Sequence, residues 1–251
     1  MAILVLCTKE DGTVTFPQFK PLISFVFSTI FVGLLTGCAT SNNPRDPIEG
    51  FNRAVFAFND GLDRAVLKPV ATGYEEAVPA PAKTGVSNFF GNIADVFIGV
   101  NNLLQGKVRD GAGDFGRFAV NSTIGVLGLI DWASDMGLEK HDEDFGQTFG
   151  RWGVGPGAYV MVPVYGPRTA RDTVGLVADV SVDPVGKMSN VPARNSLLVT
   201  RLVSERAALL PADKVIEEAA LDKYSYIRDA YLQRRRNLIY DGAPPHEDDD
   251  E

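Results

Sequence analysis

"GFNRAVFAFNDGLDR", residues 50–64, is the stretch on which the reading of the chain turns. At helical spacing Ile48, Phe51, Val55, Phe58, Leu62 and Val66 fall on one stripe, the pattern of a helix that turns an apolar face to a core. The opposite side carries Asn52, Arg53, Asn59, Asp60, Asp63 and Arg64, with Phe56 standing among them. Just upstream, Asp46, Pro47 and Glu49 predict the helix start, with Asp as N-cap, Pro at the first position and an acid in the first turn. The helix is expected to run to about Lys68, where Pro69 interrupts it.

Working outward, "VPAPAK" (Val78 to Lys83) reads as a Pro-rich connector, and a second helix is expected from about Thr84 to Gln105. Its stripe is Phe89, Ile93, Val96, Phe97, Val100, Leu103 and Leu104, and Gly106 ends it. A third, about Lys107 to Gly125, holds Gly111, Gly113 and Gly116. An internal Gly costs about 1 kcal/mol against Ala, so these glycines point to close helix contact or bends. "IGVLGLIDW" (Ile124 to Trp132) is strongly apolar but too short to cross a bilayer as a helix. Glu143 to Arg168 is punctuated by Gly and Pro and reads as an ordered loop with one short strand at Ala158–Val164. Helices resume near Thr169–Val180, Ser196–Leu210 and Pro211–Arg236. The fold class expected is mostly α, one domain of amphipathic helices.

Before that domain lies a targeting signal. Lys20 precedes the apolar run Leu22–Leu35, whose 14 residues fit a signal h-region and fall short of a membrane span. Leu35-Thr36-Gly37-Cys38 resembles a bacterial lipobox, which makes Cys38 the expected lipidation site and mature N-terminus. An ordinary secretory signal, or a buried helix with a chance cysteine, is the alternative. Val14, if encoded by an alternative start codon, would give a signal of ordinary length. Ala39 follows the cysteine where an Asp would favour inner-membrane retention, so outer-membrane sorting is expected. With Cys7 removed and Cys38 acylated no thiol remains for a disulfide. The expected organisation is residues 1–37 signal peptide, 38–47 lipidated tether, 48–240 helical domain and 241–251 acidic disordered tail.

Composition excludes several classes of chemistry. Net charge is −8, unchanged by loss of residues 1–37, which remove Lys9 and Lys20 with Glu10 and Asp11. An acidic chain argues against nucleic acid as a partner. No G-x-S-x-G is present, as an α/β-hydrolase esterase would need. His141 sits in "HDEDFG", but adjacent residues cannot all face one metal, and a solvated acidic loop is the plain alternative. "GVGPG" (Gly153 to Gly157) lacks dinucleotide-loop spacing. Arg234, Arg235 and Arg236 end a helix, where cations suit the dipole, and headgroup or partner contact is an alternative use. Neither catalytic groups, metal ligands nor a cofactor site is expected. Fifteen Phe, amphipathic helices and an acyl anchor describe instead a protein working on a lipid surface.

In order along the chain, the residues resemble the VacJ, or MlaA, lipoproteins of Gram-negative outer membranes. The match starts with Asp46-Pro47-Ile48-Glu49, Phe51-Asn52-Arg53, Val78-Pro79, Asn88-Phe89 and Asn92. It continues through Leu103-Leu104-Gln105-Gly106, Arg117-Phe118, Asn121-Ser122, Gly125, Gly128 and Asp131. Glu143 to Thr148, Gly150, Trp152, Gly153, Pro163, Gly166-Pro167, Arg171-Asp172 and Gly175 follow, and Tyr224, Arg228, Tyr231 and Gln233 close it. The span is about residues 46–236. The order Gly155-Pro156-Gly157-Ala158-Tyr159 departs from the family's Gly-Pro-Tyr, which leaves the local turn open.

The resemblance implies a non-enzymatic lipid handler: a flat ring of helices within the outer membrane, with a central amphiphilic channel. Such a protein associates with a trimeric porin, withdraws misplaced phospholipid from the outer leaflet and passes it to a periplasmic lipid carrier protein. Candidate channel or gate residues are Asn52, Asn121, Asp131, Phe145, Gly153, Gly155 and Tyr159, each of which also suits an ordinary cap or hydrogen-bonding role. Phe56 is a candidate membrane or porin contact, with cover for a neighbouring helix as the alternative. A porin scaffold and a phospholipid hydrolase are the competing classes; the density of amphipathic helix argues against the first and the missing catalytic grouping against the second.

Overall fold

A computed structural model describes residues 43–245 of the chain. The expected signal peptide, Cys38 with the first half of the tether, and the acidic end lie outside the described residues. The first helix, α1, spans Glu49–Leu62 and passes through one π-helical segment, Asp63–Leu67, into α2, Lys68–Ala77. Pro69 therefore does not end the helix. Proline removes the N–H that would bond the carbonyl four residues back, and a wider turn absorbs that loss. The Lys68 N–H donates to the Asp63 carbonyl five residues earlier. The expected start is also corrected: Ile48, not Asp46, occupies the cap position, and Asp46 is fully buried.

The next two helices form an antiparallel hairpin. Helix α3, Ala80–Leu104, begins four residues earlier than expected, because Pro79 and Pro81 fall at its cap and first turn, where a missing N–H costs nothing. Helix α4, Val108–Thr123, packs closely against it. A Cβ on Gly111 would stand 2.9 Å from the Gly99 carbonyl oxygen, so this pair of glycines serves close helix contact. After the turns of 124–131 comes the single-turn α5, Trp132–Asp135. Helix α6, Phe145–Arg151, is capped by Asp144, whose carboxylate accepts the Gln147 N–H at 2.8 Å. It occupies part of what the sequence suggests is loop.

Strand β1, Tyr159–Val162, pairs antiparallel with β2, Gly166–Thr169, in the register Tyr159 to Thr169. One short strand is expected from sequence and the chain makes two. Helix α7, Ala170–Val182, follows directly, then α8, Val191–Ala208. The expected Pro211–Arg236 helix is two helices, α9, Leu210–Ala219, and α10, Lys223–Ile239. The chain leaves the helix at Ala220, where the backbone turns extended, and Asp222 caps the restart. The packing runs in a closed circuit: α2 on α8, α8 on α3, α3 on α6, α6 on α7, α7 on the strands β1 and β2, and β1 on α1. No described helix is long and apolar enough to cross a membrane.

Burial departs from the expected face: Phe51, Val55 and Leu62 are only half-buried, Val55 against Tyr159, Met161 and Tyr224, and the fully buried positions are mostly polar. Along α1 and its flanks the stripe residues Ile48, Phe58 and Val66 are exposed, Phe58 to 58 %, while Asn52 is wholly buried. On α3 the buried set is Asn92, Asp95, Ile98, Gly99, Asn101 and Asn102, and Val100, Leu103 and Leu104 are exposed. On α4, Asp114, Arg117 and Asn121 are buried and Phe118 is exposed. The spacing is helical as expected, but much of the apolar stripe faces out. Burying polar groups without partners is costly, and most of this interior is hydrogen-bonded, with exceptions that include the Tyr159 hydroxyl and the amide oxygens of Asn102 and Gln147.

Candidate functional site: a charged-mouth cavity over a polar interior

Side-chain networks fill the interior, three of them around Asn52, Arg117 and Arg235. Around Asn52, the amide donates to Asp46 at 2.8 Å and to the Tyr159 carbonyl at 3.0 Å, and its oxygen accepts the Met161 N–H at 2.8 Å. The Tyr224 hydroxyl donates to the other Asp46 oxygen, which Arg228 also reaches at 3.3 Å. Burial, then the neighbouring Asp46 carboxylate, pushes the Tyr224 hydroxyl well above the ordinary tyrosine range. One amide thus clamps the tether, α1 and β1 together.

Around Arg117, which is 1 % exposed, the guanidinium pairs with Asp131 through two hydrogen bonds and also donates to the Leu138 carbonyl. Asn121 donates to Asp131 and accepts the Ala133 N–H. Burial alone would raise Asp131, but donors from Ser134, Asn121 and Arg117 hold it far below the usual carboxylate range. The buried Asp95 takes Lys140 at 2.5 Å. In the third network Arg235 bridges Asp144 and Asp172, and the Tyr231 hydroxyl donates to Asp172 at 2.7 Å.

Beside the first network lies a cavity of about 290 Å³. Its floor is apolar: Phe56, Met161, Pro167, Leu209, Ile216 and Ile227. Its mouth is charged, and the charges form one unbroken chain of alternating sign. Arg64 meets Asp60 at 2.7 Å, and Asp60 is 3.9 Å from Lys223. Lys223 is 3.8 Å from Glu217, which takes Lys68 at 3.2 Å. Lys68 reaches Asp213 at 3.3 Å; Arg206 then bridges Asp213 and Asp63, both at 2.6 Å. Burial raises Asp213, but Arg206 and Lys68 outweigh it and lower the carboxyl. Four cations and four carboxylates stand over an apolar floor, an arrangement suited to an amphiphile.

The sequence candidates lie elsewhere in the fold. Asn52 and Tyr159 are buried in the first network, Tyr159 edge-on to Tyr224 at 6.2 Å between ring centroids. Asn121 and Asp131 belong to the second. Phe145 opens α6, its N–H donating to Asp179 and its ring 6.3 Å from that of Phe149. Gly153 and Gly155 are exposed between α6 and β1, Gly153 with φ +88°. None of the seven borders the cavity. Phe56 does, half-buried against Tyr224. Sequence reasoning missed the charged mouth, although Asp60, Asp63, Arg64 and Lys68 recur on one side of one helical run.

The exterior is the converse. Ile124, Val126, Leu127, Leu129, Ile130 and Trp132 are all exposed, Leu127 to 72 %. Val126 and Leu127 hold φ of +53° and +58°, uncommon for any residue other than glycine and most of all for a β-branched one such as Val126. Backbone bonds within the turn fix it: Leu127 N–H to Ser122, Gly128 N–H to Asn121 and Ile130 N–H to Gly125. Gly128 itself has φ +89°, and a Cβ there would stand 2.7 Å from Asn92.

Comparison with known proteins matches this arrangement to one family. Residues 44–238 match the family model "MlaA lipoprotein". The chain is 38 % identical over 209 residues to the intermembrane phospholipid transport system lipoprotein MlaA of Escherichia coli K12, covering 80 % of this chain and 82 % of that one. To the protein of the same description from Haemophilus influenzae it is 31 % identical over 233 residues, covering 89 % and 92 %. A solved structure bearing on "maintenance of bacterial outer membrane lipid asymmetry" superposes with a TM-score of 0.68 at 37 % identity, over 77 % of this chain and 98 % of that one. The chain belongs to the MlaA lipoprotein family.

Proposed function

We propose that this chain is the lipoprotein component of an intermembrane phospholipid transport system, acting at the outer membrane to preserve lipid asymmetry. The observation that carries the reading is the pairing of exposed apolar side chains with a buried polar interior. Phe58, Val66, Val100, Leu103 and the 124–132 turn face out, while Asp95, Asn102, Asp114 and Arg117 are buried. Exposed apolar surface on this scale marks an interaction or membrane face. Hydrocarbon accepts those side chains and demands that backbone groups be satisfied internally, as the N–H groups of Leu127, Gly128, Leu129 and Ile130 are within the 124–130 turn.

In this reading the helices lie within the membrane plane, anchored through lipidated Cys38, and the cavity between α1, α9 and α10 admits the phospholipid. Lipid leaves the outer leaflet through this amphiphilic path and passes to a periplasmic carrier. A trimeric porin is the partner against which part of the apolar exterior rests. No bond in the lipid is broken, and the work is transfer. In cells lacking the gene, outer-leaflet phospholipid should rise and return to normal on complementation; an unchanged level would refute the transport reading. Cys38→Ala should abolish palmitate labelling, and persistent labelling would refute the anchor.

A further inference from the structure

The ion chain at the cavity mouth is not uniform. Arg206 is held by two carboxylates at 2.6 Å each, whereas Lys223 stands 3.9 Å from Asp60 and 3.8 Å from Glu217, beyond hydrogen-bond distance. Lys223 is thus the weak link, and it opens α10 beside Ile227 of the apolar floor. Glu217, on its far side, is half exposed.

We propose, building on the transport reading above, that this mouth selects zwitterionic phospholipid headgroups. The phosphate takes Lys223 from its two distant carboxylates, the ammonium settles between Glu217 and Asp60, and acyl chain lies along the apolar floor. The charge arithmetic favours this class. The eight-membered chain is balanced, so a zwitterion enters it by exchanging one partner of each sign. An anionic phospholipid supplies the phosphate alone: it leaves Glu217 with Lys68 and Asp60 with Arg64 as their remaining cations and sets an uncompensated negative charge beside both carboxylates. Discrimination by such a repelled charge is a general route to specificity.

The test uses full-length lipidated protein in non-ionic detergent, offered equal phosphatidylethanolamine and phosphatidylglycerol, with bound lipid counted by mass spectrometry. The wild type should retain phosphatidylethanolamine in about tenfold excess, the ratio that 1.4 kcal/mol gives. Glu217→Lys should reverse the preference. Glu218→Lys, the same charge change at a residue that does not border the cavity, should leave it alone. Equal retention of both lipids by the wild type, or the same shift in both variants, would overturn the selectivity, as would free phosphoethanolamine competing as well as the lipid. Retention of neither lipid would overturn the transport reading itself, a different outcome.

Discussion

The side chain of Asn52 donates to Asp46 at 2.8 Å in the interior, at a place where a water-soluble helix would carry an aliphatic residue. The same amide bonds the Tyr159 carbonyl and the Met161 N–H, so one polar residue joins the chain entry, α1 and β1. Replacing it by alanine deletes three hydrogen bonds and strands the Met161 N–H and an Asp46 oxygen. Asn52→Ala should therefore cost about 3 kcal/mol or more. Urea unfolding of wild type and variant in the same detergent measures this, and a loss below about 1 kcal/mol would show the network to be dispensable.

Glycine substitutions separate close approach from mere flexibility. A Cβ on Gly175 of α7 would meet the backbone nitrogen of Gly146 in α6 at 2.4 Å, and that backbone has no side chain to swing aside. Gly175→Ala should force α6 and α7 apart and lower stability by about 2–4 kcal/mol, at or above the usual range for overpacking. A methyl group added to Gly113 in α4 would meet nothing within 4 Å, so Gly113→Ala should be neutral or stabilise by up to about 1 kcal/mol. Thermal melting of the two variants side by side decides the matter.

Burial, and then the Asp144 carboxylate, push the Asp179 carboxyl up to about 6 from an ordinary 3.8. Between those values the folded chain binds more protons than the unfolded one, so this residue makes stability fall as pH rises from about 4 to about 6, and the penalty is complete above pH 6. Partial solvent access limits it to about 1–2 kcal/mol. Asp179→Asn keeps an oxygen to accept the Phe145 N–H and should melt higher than wild type at pH 8, with the gap closing at pH 4. A gap independent of pH would contradict the assignment.

Positions of most helices are legible in the sequence, because a 3.6-residue period shows in any environment, but the run past Pro69, the break at Ala220 and the short α6 are not. Which face is inside is not. The stripe of Ile48, Phe51, Val55 and Phe58 says that two sides differ, and only the surrounding medium says which is covered. A parallel signal exists: Asn92, Asp95 and Asn102, then Asp114, Arg117 and Asn121, repeat at helical spacing with residues that carry several hydrogen-bonding groups. Phe56 looks misplaced on a polar face only if that face is wet. It is half-buried there, where its ring meets Tyr224 edge-on at 5.8 Å. The cavity mouth is hidden for another reason. Asp63 and Arg206 are 143 residues apart, and Asp46 and Tyr224 are 178 apart, so only the closed circuit of helices brings them together.

The proposed function turns on the medium, for it requires the apolar side of these helices to lie in hydrocarbon and the polar side within. In the proposed mature form, with Cys7 removed and Cys38 acylated, no free thiol remains, so single cysteines at Phe58, Leu127 and Glu218 can each carry an environment-sensitive fluorophore. In bilayers containing brominated acyl chains, the bromolipid should quench positions 58 and 127 strongly and aqueous iodide should quench them little, with the reverse at 218. Iodide quenching of all three, with none from bromolipid, would refute the membrane placement.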